Sequence, residues 1–195
     1  MGIALFRDFE IRQSLNGSYL KKYRDDDNSL VLDELGLMQG LCRIDIAVIN
    51  GIIHGFEIKS DVDTLERLPT QIKVYNQVLD KTTLIVGENH LDKAEELVPC
   101  WWGIKVVKST KQKSLQIKNH RIEANNKDVS AFALVQLLWK NEAIQILQNN
   151  TATSAKDLRK PKDQLYRILS ETIPLKTLKN IIRVTLKQRK GWRYQ

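Results

Sequence analysis

Five residues have types and spacing that could do chemistry. Asp45 lies in the run Arg43-Ile44-Asp45-Ile46, Glu57 and Lys59 in Phe56-Glu57-Ile58-Lys59, and Gln71 and Tyr75 in Gln71-Ile72-Lys73-Val74-Tyr75. An acid on one strand beside a Glu-x-Lys on the next would hold a divalent cation next to a basic group. A hard cation of that kind polarises a phosphate and lowers the pKa of an attacking water. Mg²⁺ keeps several of its own waters, so two carboxylates suffice. Each residue also has a plainer reading. Glu57–Lys59 would serve as a surface pair, Arg43 would satisfy Asp45, and Gln71 and Tyr75 would be ordinary helix residues.

The elements that must position these groups begin with a hairpin. Asn50-Gly51 is a turn signal between two β-rich runs. A two-residue loop would mix Glu57 and Lys59 with Ile44, Ile46 and Val48. An odd connection, for instance Ile49-Asn50-Gly51 with Gly51 left-handed, changes the parity. Ile44, Ile46, Val48, Ile52, Phe56 and Ile58 then share one face with His54, and Asp45, Ala47, Gly55, Glu57 and Lys59 share the other. Burial selects the odd arrangement, because a slip of one residue flips every side chain. It also sets the small residues Ala47 and Gly55 beside the carboxylates, where a ligand would need room. His54 on the apolar face reads as a buried histidine.

Around the hairpin, residues 3–24 read as an amphipathic helix that Asn16-Gly17 divides. Leu30 to Leu37 is a strand or a helix end. Asp63 with Glu66 fits a capping box. Pro69 opens a helix running to Leu79, with Gln71 and Tyr75 one turn apart. Thr82 to Val86 and Gly103 to Lys108 read as strands, with a short helix over Asp92 to Val98. Trp101-Trp102 packs the sheet. Lys111 to Lys118 is a polar, basic stretch. Val129 to Leu147 is a helix, and the remainder is a basic helical tail. This order predicts an α/β fold, a mixed sheet flanked by helices, with residues 1–110 as the core and residues 111–195 as a basic helical region packed on it.

Composition sets the limits. The chain has 195 residues, of which 42% are hydrophobic and 28% charged, as in an ordinary globular protein. No apolar run approaches the ~20 residues that cross a bilayer. The start lacks a signal-peptide pattern, and Cys42 and Cys100 have no zinc spacing, so reduced thiols in a cytoplasmic protein are expected. The net charge of +8 is divided unevenly: residues 1–100 hold 11 Lys/Arg and 17 Asp/Glu, and residues 101–195 hold 20 and 6. An acidic half joined to a polyanion-binding half is the functional reading, and a Lys-rich surface kept for solubility is the plainer one. The candidates for phosphate contact are Lys73, Arg159, Lys160, Lys162, Arg183, Lys187, Arg189 and Lys190.

The set Asp45, Glu57-x-Lys59 and Gln71-x-x-x-Tyr75 resembles the PD-(D/E)XK nuclease superfamily, and the last motif is similar to the QxxxY of its RecB-like branch. The run H-G-F-E-I-K-S-D with D-T-L-E-R-L is similar to a small bacterial, mobile-element family of that superfamily. The resemblance covers about residues 30–108. Ile44 stands where the namesake proline would be. The resemblance implies a restriction-endonuclease-like core and a Mg²⁺-dependent deoxyribonuclease, with Mn²⁺ able to substitute. It implies that Asp45, Glu57 and the main chain at Ile58 ligate the metal, with Glu34, or its neighbour Asp33, as the upstream acid. Lys59 would activate water, and Gln71 and Tyr75 would position it. DNA is the partner implied, RNA stays open, and cutting both strands would call for a homodimer or sequential nicking. A non-cleaving DNA-binding or regulatory protein on the same fold is the alternative. Phage defence, restriction and repair are the settings that fit either reading.

Overall fold

Period-two runs of β-branched residues build the centre of the molecule. The computed structural model describes residues 5–110 and 114–192. Among the described residues there are six strands: β1 (Leu30–Leu37), β2 (Cys42–Asn50), β3 (Ile52–Lys59), β4 (Lys81–Gly87), β5 (Gly103–Ser109) and β6 (Leu115–Arg121). They form one sheet in sequential order. β1–β2, β2–β3 and β5–β6 pair antiparallel, and β3–β4 and β4–β5 pair parallel. Both parallel joins need a crossover. The helices α3 (Leu68–Val78) and α4 (Leu91–Leu97) supply them.

Each sheet face buries an apolar layer. On one side α1 (Asp8–Gly17) and α2 (Lys21–Arg24) cover the strands, with Ile11, Leu15 and Leu20 against Ile46, Val48, Phe56, Ile58, Ile85 and Val107. The larger layer lies on the other side. There α3 and α5 (Ala131–Val135), α6 (Lys140–Asn150), α8 (Lys162–Thr172) and α9 (Leu175–Gln188) share one core with Ala47, Ile49, Ile53, Leu84, Val86 and Ile104. A further short turn of helix, α7 (Ala155–Leu158), precedes α8. Among the described residues no helix is long and apolar enough to cross a membrane.

The hairpin has the odd connection. Asn50 pairs with Ile52 around Gly51, whose φ is +68°, and the register runs back to Ile46↔Phe56. From Ile46 to Phe56 residues of like parity therefore face together, one step tighter than a three-residue loop at 49–51, but Ile44, expected beside Ile46, lies with Ala47 on the other face because the alternation breaks at Asp45. His54 falls on the α1 side, stacked on Phe56 at 4.2 Å between ring centroids and bonded to Thr83 at 2.9 Å.

Several expected elements shift. The helix foreseen over 3–24 is broken after Gly17, and residues 3 and 4 lie outside the described residues. Leu30 to Leu37 is a strand. Within the stretch foreseen as polar from 111 to 118, residues from Leu115 onward begin β6, the sixth strand of the sheet; residues 111–113 lie outside the described part. The helix foreseen over 129–147 is two helices. The carbonyl of Leu138 accepts the Tyr166 hydroxyl, that of Leu137 accepts Arg189 at 2.8 Å, and the Trp139 N–H is capped by Glu142 at 2.7 Å. Main-chain groups engaged this way do not continue a helix. Asp63 caps no helix: it accepts the N–H and hydroxyl of Ser60 at 2.8 and 2.5 Å, and α3 begins at Leu68 with Pro69 in its first turn.

Candidate functional site

The strands β2 and β3 part beyond Ile46↔Phe56, and the functional candidates converge where they part. Asp45 fills the gap between them. Its Oδ2 accepts the Ile58 N–H at 2.7 Å, replacing a ladder bond with a side-chain one. Next to it the β1–β2 register passes from Asp33↔Ile46 to Leu35↔Ile44, leaving Glu34 and Asp45 out. Glu34 has φ +60°, a conformation costly for a residue with a Cβ. The alternation breaks on both strands at this point, so Leu32 and Leu35 bury on the same side, as do Ile44 and Ala47.

Glu57 and Lys59 are nearly inaccessible, at 2% and 4% exposure. Lys59 Nζ donates to Glu57 Oε1 at 2.8 Å, and Gln71 Nε2 donates to the same oxygen at 2.6 Å. The Tyr75 hydroxyl stands 2.7 Å from both Glu57 Oε2 and the Arg43 carbonyl, and Gln71 Nε2 reaches it at 3.2 Å. Burial, then the charge and hydrogen bond of Glu57, raises the Tyr75 phenol well above its ordinary value, so it stays protonated. Glu57, Lys59, Gln71 and Tyr75 thus form one connected network.

Arg12, which the sequence reading did not single out, closes the cluster from α1. Its Nε donates to Asp8 at 2.5 Å and its Nη1 to the Asp45 carbonyl at 3.0 Å. Its Nη2 reaches Glu34 Oε1 and Asp45 Oδ1, each at 2.8 Å. Burial opposes the guanidinium charge, but the Asp8 hydrogen bond and the charges of Asp45, Asp8 and Glu34 together raise its pKa. Desolvation, then repulsion from Glu57, pushes Asp45 up to about 7, against the Ile58 N–H and Arg12, which pull it down. The only sequence signal for Arg12 was its i, i+4 spacing from Asp8, which reads as a surface helix pair.

A cavity of about 620 Å³ opens here, with Asp8, Glu34, Asp45, Glu57, Lys59 and Gln71 in its lining. Asp33, the rival of Glu34, points elsewhere and meets Arg24 at 3.4 Å. Gly55 makes no room for a ligand. A Cβ built there would lie 2.5 Å from Leu79 Cδ1 and 3.1 Å from Ile44 Cγ1, so the missing side chain is replaced by core packing. Trp102 is buried, stacked near Tyr75 and bonded through its indole N–H to Asn76. Both cysteines are free thiols.

The side chains fit a divalent metal poorly. Mg²⁺ needs oxygens at about 2.0–2.1 Å in octahedral array. Asp45 Oδ1 already has a guanidinium nitrogen at 2.8 Å, and both oxygens of Glu57 are engaged by Lys59, Gln71 and Tyr75. The Ile58 main-chain N–H already occupies Asp45 Oδ2, at 2.7 Å. Among the described residues no three His, Cys, Asp or Glu side chains are grouped to hold a metal.

The candidate phosphate contacts separate into two sets. Lys73, Arg159 and Lys190 are exposed, and Arg183 and Lys162 half-exposed. Lys160 pairs with Asp157 at 2.5 Å and Lys187 donates to the Asn28 carbonyl at 2.5 Å. Arg189 is buried, bonded to Glu142 through two nitrogens at 2.7 and 2.6 Å, and lies 4.4 Å from the ring centres of both Trp139 and Trp192. It packs the helices together and does not face outward.

Fold and site define a mixed α/β protein whose central carboxylates are held by its own cations and hydrogen-bond donors. The chain matches the family described as Bacteriophage P4 protein cII over residues 7–194, and it belongs to that family. It is 23% identical over 185 residues to protein cII of Enterobacteria phage P4, covering 95% of this chain and 68% of that protein. It also resembles, at 19% identity and a TM-score of 0.40, a protein of unknown function from Silicibacter pomeroyi, covering 70% of this chain and 88% of that one. Membership in the P4 cII family replaces the PD-(D/E)XK superfamily. The expectation of a deoxyribonuclease, and of an enzyme, is overturned with it. The motif types were present, but the arrangement spends their charge on one another.

Proposed function

We propose that this protein is a non-cleaving, nucleic-acid-binding regulatory protein of phage type. The observation that carries the reading is the contrast between its two sets of charges. Four acidic groups of the first half, Asp8, Glu34, Asp45 and Glu57, are paired internally with Arg12 and Lys59 at the splayed end of β2 and β3. Many cations of the second half stand outward on helices. Along α9, Lys176, Arg183 and Lys187 recur at i, i+7 and i+11, which sets them on one stripe beside the apolar face of Leu178, Ile182 and Leu186. A stripe of that kind suits the phosphate backbone, which binds through cations whatever the sequence. The phage origin of the P4 relative fits a nucleic-acid partner.

The test is fluorescence anisotropy with labelled duplex DNA, single-stranded DNA and RNA across a salt series. Binding should weaken steeply with salt, and Lys176→Ala and Arg183→Ala should each reduce the log–log slope by about 1. DNA incubated with the protein and Mg²⁺ should remain intact. Absence of binding to all three nucleic acids at low salt would overturn the proposal, as would a slope that neither substitution changes.

A further inference from the structure

We infer that the groove between α6 and α9 is a self-association surface, and that it receives the same groove of a second copy of this chain. This does not rest on the nucleic-acid reading. Arg189, just past the end of α9, bonds Glu142 in the first turn of α6 through two nitrogens at 2.7 and 2.6 Å. The pair pins the two helices at one end, and beside it they leave a trough of about 440 Å³. Its apolar lining runs outward from Ile146, 6% exposed, through half-buried Ile181 to Val184, 45% exposed. Its exposed polar residues are all amides: Gln145, Asn149 and Asn150 from α6, and Asn180 and Gln188 from α9.

Charge and symmetry select the occupant. Residues 101–195 hold 20 Lys/Arg and 6 Asp/Glu, yet the charged residues of this lining are Glu142 and Arg189, which neutralise each other. Nucleic acid would look for free cations, and a charged peptide for an opposite charge; the trough offers neither. Two copies of a chain of net charge +8 repel one another, and an uncharged face is where they can meet. A two-fold contact uses the same patch on both copies, so its residues must tolerate their own images. Lysines and carboxylates are repelled by theirs. An amide carries both donor and acceptor, so it can bond its image in both directions. In such a contact Val184 of each copy enters the trough of the other, as a side chain of one helix enters the groove of its neighbours. The basic stripe of Lys176, Arg183 and Lys187 lies on the adjoining flank of α9, outside the contact.

The experiment is sedimentation equilibrium of the whole chain, freed of nucleic acid by nuclease treatment, over a concentration series at low and at high salt. The mass should rise with concentration from 22.5 kDa toward twice that value. Salt should leave the association unchanged or strengthen it, because it screens the net repulsion and the contact holds no ion pair to lose. Val184→Asp and Val184→Lys should each weaken self-association on the order of 100-fold, because each sets a charge against its own image. An equimolar mixture of the two should recover it, because opposite charges then face each other. The mixture also separates a repelled variant from a misfolded one, since misfolded chains do not recover on mixing, and circular dichroism checks the fold of each. A single species of 22.5 kDa at every concentration would overturn the inference. Association that dissolves in high salt would overturn it as well, because charged surfaces elsewhere would then hold the copies together. So would variants that associate as the wild type does, or a mixture of folded variants that does not recover, because Val184 would then not meet its image.

Discussion

Lys179 on α9 and Asp80, the residue just before β4, form an ion pair of 2.7 Å across 99 residues of sequence. The other Asp80 oxygen accepts the Ile53 N–H at 2.8 Å, so one carboxylate ties the hairpin strand β3 to the last long helix. Asp80→Ala leaves a buried N–H and a half-buried ammonium without partners. It should cost about 2–4 kcal/mol, and Lys179→Ala about 1 kcal/mol. Urea unfolding of both variants and their double mutant measures the coupling. A double mutant no worse than Asp80→Ala would assign the larger loss to the Ile53 bond and the pair together.

Arg189 stands among the cations of the basic tail, yet its side chain is packed between two indoles and held by Glu142. Arg189→Ala should destabilise the protein by about 3–5 kcal/mol, because Glu142 is left without its partner and the carbonyl of Leu137 loses a donor. Arg189→Lys should recover only part of that, since an ammonium cannot make the two-nitrogen contact. Neither should alter the salt dependence of nucleic-acid binding in protein that remains folded. A slope lower by about 1 in Arg189→Lys would put this residue on the binding surface after all.

Strands β2 to β5, their order and the parity of the hairpin from Ile46 onward were legible in the sequence, because burial on two faces enforces period-two patterns, whereas Leu30 to Leu37 read equally as a helix end. β6 was not legible, because an edge strand with outward Lys118 and His120 carries little apolar signal. The break at Glu34 was written in the pattern. Leu30, Leu32, Leu35 and Leu37 skip a step at Asp33-Glu34, a mark of strand irregularity that the propensity of the run conceals. The residue types of the site were legible too, but not their occupation. Arg12 and Asp45 are 33 residues apart and meet only because α1 crosses the end of the sheet. A motif of Asp, Glu-x-Lys and Gln-x-x-x-Tyr specifies which groups are present. It does not specify which donors fill their lone pairs, and here that difference separates a metal site from a neutralised one.

Gly55 tests whether the space beside the acids is packing or pocket. Its Cβ would meet Leu79, which has no solvent exposure, so Gly55→Ala should destabilise by about 1–3 kcal/mol through overpacking. Leu79→Ala alone leaves a cavity and should cost about 2–5 kcal/mol. Combined, the two should cost less than their sum, since the new methyl occupies part of the space. Strict additivity in chemical unfolding would show that the two sites do not touch in solution.

Asp45 and His54 make opposite contributions to stability as pH changes. The folded-state pKa of Asp45 is raised from 3.8 to about 7, chiefly by desolvation. Between those values the native state holds a proton that the unfolded chain has lost, so this group's contribution to stability falls as pH rises from about 4 to 7. His54 is lowered from 6.5 to about 3, chiefly by burial and then by Lys81, Lys105 and Lys22. Over that interval the unfolded chain binds a proton that the native state refuses, so its contribution falls as pH drops from about 6.5 to 3. The two largely offset each other between pH 4 and 6.5, and a flat stability profile is expected there. Asp45→Asn keeps an oxygen for the Ile58 N–H but removes the titration. Its unfolding free energy should fall as pH is lowered from 6.5 to 4, by on the order of 2–3 kcal/mol. Near pH 8, where the wild type carries the buried charge, the variant should be at least as stable as the wild type. Denaturant unfolding at pH 4.5, 6 and 8 decides it: an Asp45→Asn profile as flat as the wild type's would show that Asp45 is fully ionised throughout, held so by Arg12.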